Sequence, residues 1–176
     1  MFLFDILFGK RDKTAAAAPQ PVAAVHETLQ VAPGTTIQYH PELIEKFRND
    51  HQFLLQLFGN LRDAAAAGDV ATAATLLDEF RGALQGHLLT ENVRLYVYLE
   101  HALAGDPPSY ALMHQFRHEM DEIGKAVVAF LGKYRDLAAR PDQAPAFVEE
   151  LEGVGKVLVR RIRAEEETLY PLYAPV

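Results

Sequence analysis

The chain has 176 residues, a formal net charge of −7 and no cysteine. This length fits one domain that can bury a full core. The negative charge argues against nucleic acid as the main partner, and the lack of cysteine excludes disulfides, thiolate metal sites and cysteine catalysis. Apolar residues make up 49% of the chain, and few stretches alternate as β-strands do, so we predict an all-α fold.

The first thirteen residues, MFLFDILFGKRDK, are apolar and then basic. Asp5 interrupts the apolar run and the positive charges follow it, which is unlike a secretory signal, and the run is too short to span a bilayer. We predict a cytoplasmic protein in which residues 1–13 pack on the domain or dock weakly on a membrane or protein partner. Residues 14–38 are rich in alanine and proline, as is typical of a linker or extended arm.

Residues 39–173 hold four long segments with helical periodicity. The predicted helices run from about Pro41 to Ala67, from Val70 to Leu103, from Ser109 to Ala138, and from after Pro141 to Pro171. Turn-forming residues separate the segments and the connections between them are short. We therefore predict an antiparallel, up-down-up-down four-helix bundle.

Titratable residues interrupt the apolar faces of three of these helices. His51 lies on the first, His87 and Glu91 one turn apart on the second, and Arg161 and Glu165 one turn apart on the fourth. A buried charge is costly unless another charge or a metal meets it. Imidazole and carboxylate at this spacing can reach one cation or two adjacent ones, and they suit iron, zinc or manganese. A hydrogen-bonded core histidine is the competing interpretation.

The third helix carries His114 and His118 at the spacing of two ligands on one helix. Both point nearly opposite to its apolar face, which includes Met120. A core site that used these histidines would need the helix rotated by about half a turn. An exposed, adventitious metal site is the other use for the pair.

Taken together, the motifs resemble the hemerythrin-like HHE cation-binding domains, four-helix bundles that hold a non-haem di-iron centre. Asp50-His51, the run HLLTE from His87 to Glu91, and the ending EEETLYP from Glu165 to Pro171 carry the resemblance, which covers residues 40–173. It implies metal ligands at His51, His87, Glu91 and Glu165. It also implies a metal-binding module that senses or stores oxygen, nitric oxide or iron. No motif of an enzyme is present, so we predict no catalysis.

Two ligand positions of the family pattern are substituted. Met120 stands where the third helix has a ligand histidine, and Arg161 stands where the fourth helix has one, four residues before Glu165. A thioether is a weak ligand for ferric iron, and an arginine adds a permanent positive charge. The expected cofactor is therefore non-haem iron, as one or two ions, or zinc, and the four remaining ligands suffice for a single ion.

The alternative hypothesis is a metal-free regulatory or interaction bundle without a cofactor. In it Arg161 replaces the metal by pairing with both Glu91 and Glu165, and a protonated His51 or His87 supplies a second positive charge. Residues 1–13 would then dock the bundle to its partner. A haem held by Met120 and one of the core histidines is a third, less favoured hypothesis.

Overall fold

The computed structural model describes residues 30–176, so the predictions for residues 1–13 and for most of the linker lie outside the described residues. The helices are α1 Leu43–Ala66, α2 Val70–Thr90, α3 Val97–Ala102, α4 Pro107–Lys133 and α5 Ala144–Ala164. A π-helical turn, Glu91–Tyr96, joins α2 to α3, and α5 continues through a second, Glu165–Leu169, into a 3-10 turn, Tyr170–Leu172. The predicted all-α four-helix bundle is confirmed.

The helices begin and end where local chemistry favours it. Asp69 caps α2 by accepting a hydrogen bond from the Thr72 amide at 3.1 Å, and Asp106 caps α4 by accepting one from the Ser109 amide at 3.5 Å. Gly68, with φ +74°, ends the turn after α1 in the left-handed conformation that glycine adopts freely. These tight turns make neighbouring helices antiparallel.

The apolar core consists of two clusters of buried side chains. One holds Leu54, Leu61, Leu77, Phe80, Phe130, Tyr134, Phe147 and Leu151. The other holds Phe47, Leu95, Tyr98, Leu99, Met113, Phe116, Leu169 and Tyr170. Each such side chain contributes roughly 1.5–3 kcal/mol by its burial. On α1, on α2 and near the end of α5, the predicted polar residues fall between members of the two clusters.

The middle of α4 is less buried than its apolar stripe predicts. Phe116 and Phe130 are buried, but Met120, Ile123 and Val127 between them are only half-buried. An open groove of about 580 Å³ lies between α4 and α5 at this level. Small residues line it, including Ala126 and Gly153, so the facing helices lack the side-chain volume to fill the space. Among residues 30–176, no helix is both long and apolar enough to cross a membrane.

Gly155 allows α5 to pack closely against α1. A Cβ at this position would lie 2.6 Å from Cε1 of Phe58, whereas a Cβ at Gly153 would meet nothing within 4 Å. We expect Gly155→Ala to destabilise the fold by about 1–3 kcal/mol through overpacking, and Gly153→Ala to stabilise it by up to about 1 kcal/mol. Urea denaturation measures both, and a Gly155→Ala variant as stable as Gly153→Ala would show that the Phe58 ring moves aside without cost.

Candidate metal centre

His51, His87 and Glu165 come together from α1, α2 and the end of α5. Each residue offers one ligand atom, the three atoms lie within 4.8 Å of one another, and all three side chains are buried. His51 Nε2 is 3.3 Å from Glu165 Oε2. Ligand atoms around a tetrahedral ion lie about 3.4 Å apart, so small side-chain adjustments bring the three atoms to one metal.

A carboxylate contacts the Nδ1 atom of each histidine. His51 Nδ1 is 2.8 Å from Glu166 Oε1, and His87 Nδ1 is 3.5 Å from Asp50 Oδ2. Such contacts orient a histidine ring and fix its tautomer, and metal-ligating histidines usually have one. Both Nε2 atoms are thereby left to act as ligands.

Asp50 and Glu166 belong to the motifs Asp50-His51 and EEETLYP, but the sequence predicts no role for either residue. Asp50 directly precedes His51 in the sequence but contacts His87 on α2. Glu166 directly follows Glu165 but contacts His51 on α1. Adjacent residues on a helix point about 100° apart, so an acidic neighbour of a buried ligand is aimed at the next helix. That spacing is the signal that would have identified them.

Arg161 is buried beside these residues and occupies one oxygen of Glu165. Its Nε donates to Glu165 Oε1 at 2.5 Å, and its Nη2 donates to the Tyr96 hydroxyl at 3.1 Å. Its Nη1 lies 3.7 Å from Glu119 Oε2, and the guanidinium carbon is 4.9 Å from the centre of the Phe116 ring. Glu165 is therefore shared, with Oε1 on the arginine and Oε2 toward the histidine on α1.

Glu91 is buried in the same interior but lies outside the three-residue cluster. The predicted pairing of Arg161 with Glu165 is present, but its predicted pairing with Glu91 is wrong. Within residues 30–176 the ion pairs of Arg161 are with Glu165 and Glu119. The Glu91 Oε1 atom is buried without a hydrogen-bond partner.

Glu91 and Glu165 each begin a π-helical turn. Such turns are rare and are frequent at functional sites. Two tyrosines follow on these segments, and their hydroxyls reach the site. Tyr96 contacts Arg161, and the Tyr170 hydroxyl lies 3.2 Å from His51 Nε2. Both tyrosines belong to the second apolar cluster, so that cluster packs directly against the site.

The surroundings shift the pKa values of the two core histidines in opposite directions. Burial lowers the pKa of His51, but the adjacent carboxylates of Glu165 and Glu166 outweigh it and raise that pKa above its ordinary value. Burial, together with the charge of His51, lowers the pKa of His87. In the metal-free protein the carboxylates thus favour the cationic form of His51, and burial favours the neutral form of His87.

The pKa values of the two core carboxyl groups also shift in opposite directions. Burial and the negative charge of Glu165 raise the pKa of Glu91 well above its ordinary value, although Arg161 opposes them. Burial likewise acts to raise the pKa of Glu165, but His51 and Arg161 overcome it and hold that pKa low. These surroundings therefore favour the protonated form of Glu91 and the ionised form of Glu165.

We expect Glu91→Gln to stabilise the metal-free protein increasingly as pH rises. A folded-state pKa above the ordinary 4.5 means that stability is lost as pH rises from 4.5 toward the folded value. Glutamine mimics the protonated acid and cannot ionise, so the variant escapes this loss. Urea denaturation of chelator-treated protein should show a gain on the order of 1–3 kcal/mol at pH 8 and little gain near pH 4.5. Equal gains at both values would contradict the protonation assignment.

The structure places His114 and His118 on the exposed side of α4. His114 Nε2 lies 3.3 Å from Glu100 Oε2, so it has a partner outside the core site. Met120 lies on the inner side and lines, with Arg161, a small cavity of about 30 Å³. The two substituted ligand positions are therefore neighbours.

The interior of this four-helix bundle brings two carboxylate-supported histidines together with buried glutamates. Bundle interiors are where metal sites of this kind are built, so the cluster is a candidate metal centre. The family model for the Hemerythrin HHE cation binding domain matches residues 42–173, and the chain belongs to this family. Comparison with curated proteins gave no significant match, and comparison with solved structures gave none.

Proposed function

We propose that the protein is a metal-binding module that holds one iron or zinc ion at His51, His87 and Glu165. The observation that carries the proposal is the carboxylate on Nδ1 of each histidine, which leaves both Nε2 atoms available as ligands. The Nε2 atom of His51 lies beside Glu165 Oε2. Family membership supports cation binding in general. Glu91, with its unpartnered oxygen, is the proposed fourth ligand, and its binding would release a proton.

A single ion, rather than two, is proposed because Arg161 and Met120 stand together on the other side of Glu165. The guanidinium carries a permanent charge and already bonds Glu165 Oε1. A second cation there would meet like charge and a weak thioether ligand. The chemistry thus favours one ion next to a fixed organic cation.

The proposed role is sensing or storage, not catalysis. Bound iron would supply an open coordination position to a small diatomic ligand such as oxygen or nitric oxide. The protein's own residues would orient the two histidines, exclude water through the surrounding tyrosines, and balance the carboxylate charge.

A metal-free regulatory bundle is the second candidate, favoured by the 2.5 Å pair between Arg161 and Glu165. That pair, with the protonated His51, already compensates the buried carboxylate. In this case the histidines serve structure alone.

Metal analysis of untagged protein, grown with added iron and zinc, separates the two candidates. We expect about one ion per chain, lost in His51→Ala and His87→Ala and retained in the control His114→Ala, whose imidazole is exposed. Less than about a tenth of an ion per chain in the natural protein would overturn the metal-binding proposal and leave the metal-free bundle.

The supporting carboxylates should affect metal affinity without binding metal themselves. We expect Asp50→Asn and Glu166→Gln each to weaken zinc binding by about 10–100-fold, because the histidine rings lose their orienting partner. Glu167→Gln is the matched control, since that neighbouring side chain is exposed and its ion pair within residues 30–176 is with Arg163. Competition titration with a chromophoric chelator measures the affinities, and equal affinities in all three variants would contradict this role.

A further inference from the structure

The groove between α4 and α5 leaves a contiguous set of apolar side chains open to solvent. Its volume is about 580 Å³. Its apolar lining is Ile123, Ala126, Val127, Phe130, Val154 and Val157. Removing such side chains from water is favourable, so the groove suits an apolar partner. We call it the α4–α5 groove.

We propose that the N-terminal segment of the same chain, residues 1–13, binds in the α4–α5 groove. The segment's sequence supplies apolar side chains in number: Phe2, Leu3, Phe4, Ile6, Leu7 and Phe8. Covering the groove with them would remove apolar area from water on both partners at roughly 25 cal/mol per Å². Because the segment belongs to the chain, its local concentration at the groove is high.

The connection is long enough to reach. Residues 14–29 number sixteen, and sixteen extended residues span up to about 50 Å. The 27 residues of α4 make a helix about 40 Å long. The connection therefore reaches any point along α4 from the start of the described chain.

Charge selects this groove over a second groove of similar size on the other side of α5. The second groove, about 540 Å³, is lined by four cations and one acid: Arg62, Lys156, Arg160, Arg163 and Glu152. The basic end of the segment, with Lys10, Arg11 and Lys13, would be repelled there. The lining of the α4–α5 groove instead has two acids, Glu122 and Glu150, and one cation, Arg160, which lines both grooves. Its two acids stand in exposed ion pairs that exchange at little cost.

The α4–α5 groove shares walls with the small cavity beside the candidate metal centre. Ile123, Val127, Val154 and Val157 line both the groove and the cavity that Met120 and Arg161 border.

Disulfide cross-linking of the full chain tests the proposal, because the protein has no cysteine of its own. Leu7→Cys is combined with Val157→Cys, which lines the α4–α5 groove, or with Val159→Cys, which lines the second groove two residues further on. In dilute protein under mild oxidation we expect the pair with Val157→Cys to form an intramolecular disulfide at least about tenfold faster than the pair with Val159→Cys. Equal rates for the two cysteine pairs, or disulfides formed chiefly between two chains, would overturn the proposal.

A blocking variant keeps the test independent of the chosen cysteine. Val127→Glu, inside the groove, is expected to abolish the preference for Val157. Val128→Glu is the matched control, since Val128 is 61% exposed and outside the groove lining. Circular dichroism checks that both variants remain folded. An unchanged preference in Val127→Glu would likewise overturn the proposal.

Discussion

Replacing Met120 and Arg161 together with histidine is expected to raise the metal content from about one to about two ions per chain. The two positions border the same small cavity. The substitution removes the fixed positive charge, frees Glu165 Oε1 from its arginine partner, and adds two imidazoles. The unpartnered oxygen of Glu91 lies in the same interior and supplies a further ligand. Metal analysis after loading with iron measures the ratio.

The control for this double variant is Met120→Leu with Arg161→Gln, which removes the same charge and adds no ligand. Its metal content should stay at or below about one ion per chain. Two ions in the natural protein would show that α4 already contributes a ligand. His118 would then be the residue to test. Two ions in the control would show that charge alone, and not the missing histidines, limits the site.

The fold and the burial of the polar residues were predictable because they depend on local periodicity. An apolar residue every three or four positions fixes which face of a helix is inward. On that basis His51, His87, Glu91, Arg161 and Glu165 were placed inside, and all five are buried. The helix breaks were equally local, since they depend on turn and capping residues.

Contacts between helices were not predictable in the same way. Periodicity shows that Arg161 faces inward, but it does not show that Glu119 and Tyr96 reach it, because that depends on helix packing and on side-chain length. The π-helical turns that begin at Glu91 and Glu165 also break the 100° periodicity on which the sequence analysis depended. The roles of both carboxylates are therefore visible only in three dimensions.

The partly open middle of α4 has a similar origin. Ile123 and Val127 have the spacing of buried residues, and spacing alone cannot show whether the facing helix fills the space. The residues opposite include Gly153 and Val154, which are too small to do so. The apolar stripe of α4 thus predicted a buried face. In residues 30–176 that face lines an open groove instead.

Replacing Arg161 with methionine is expected to destabilise the metal-free protein by about 3–5 kcal/mol, because a buried carboxylate loses its partner. Of its two ion-pair partners in residues 30–176, Glu165 would keep His51, and the Tyr96 hydroxyl would lose its donor. Arg163→Met is the matched control. That side chain is 74% exposed, so its change should stay within about 0.5 kcal/mol. Urea denaturation of chelator-treated protein measures both variants.

Zinc should restore much of the stability of Arg161→Met, and by more than it stabilises the natural protein. A ligand that binds only the folded state stabilises it by about 2.7 kcal/mol at one hundred times its Kd. In the variant the ion would also supply the positive charge that Glu165 lacks, and binding would be tighter because no guanidinium opposes it. Equal stabilisation of both proteins would contradict this coupling. A larger effect in the variant would mean that Arg161 and the metal compete for the charge of one carboxylate.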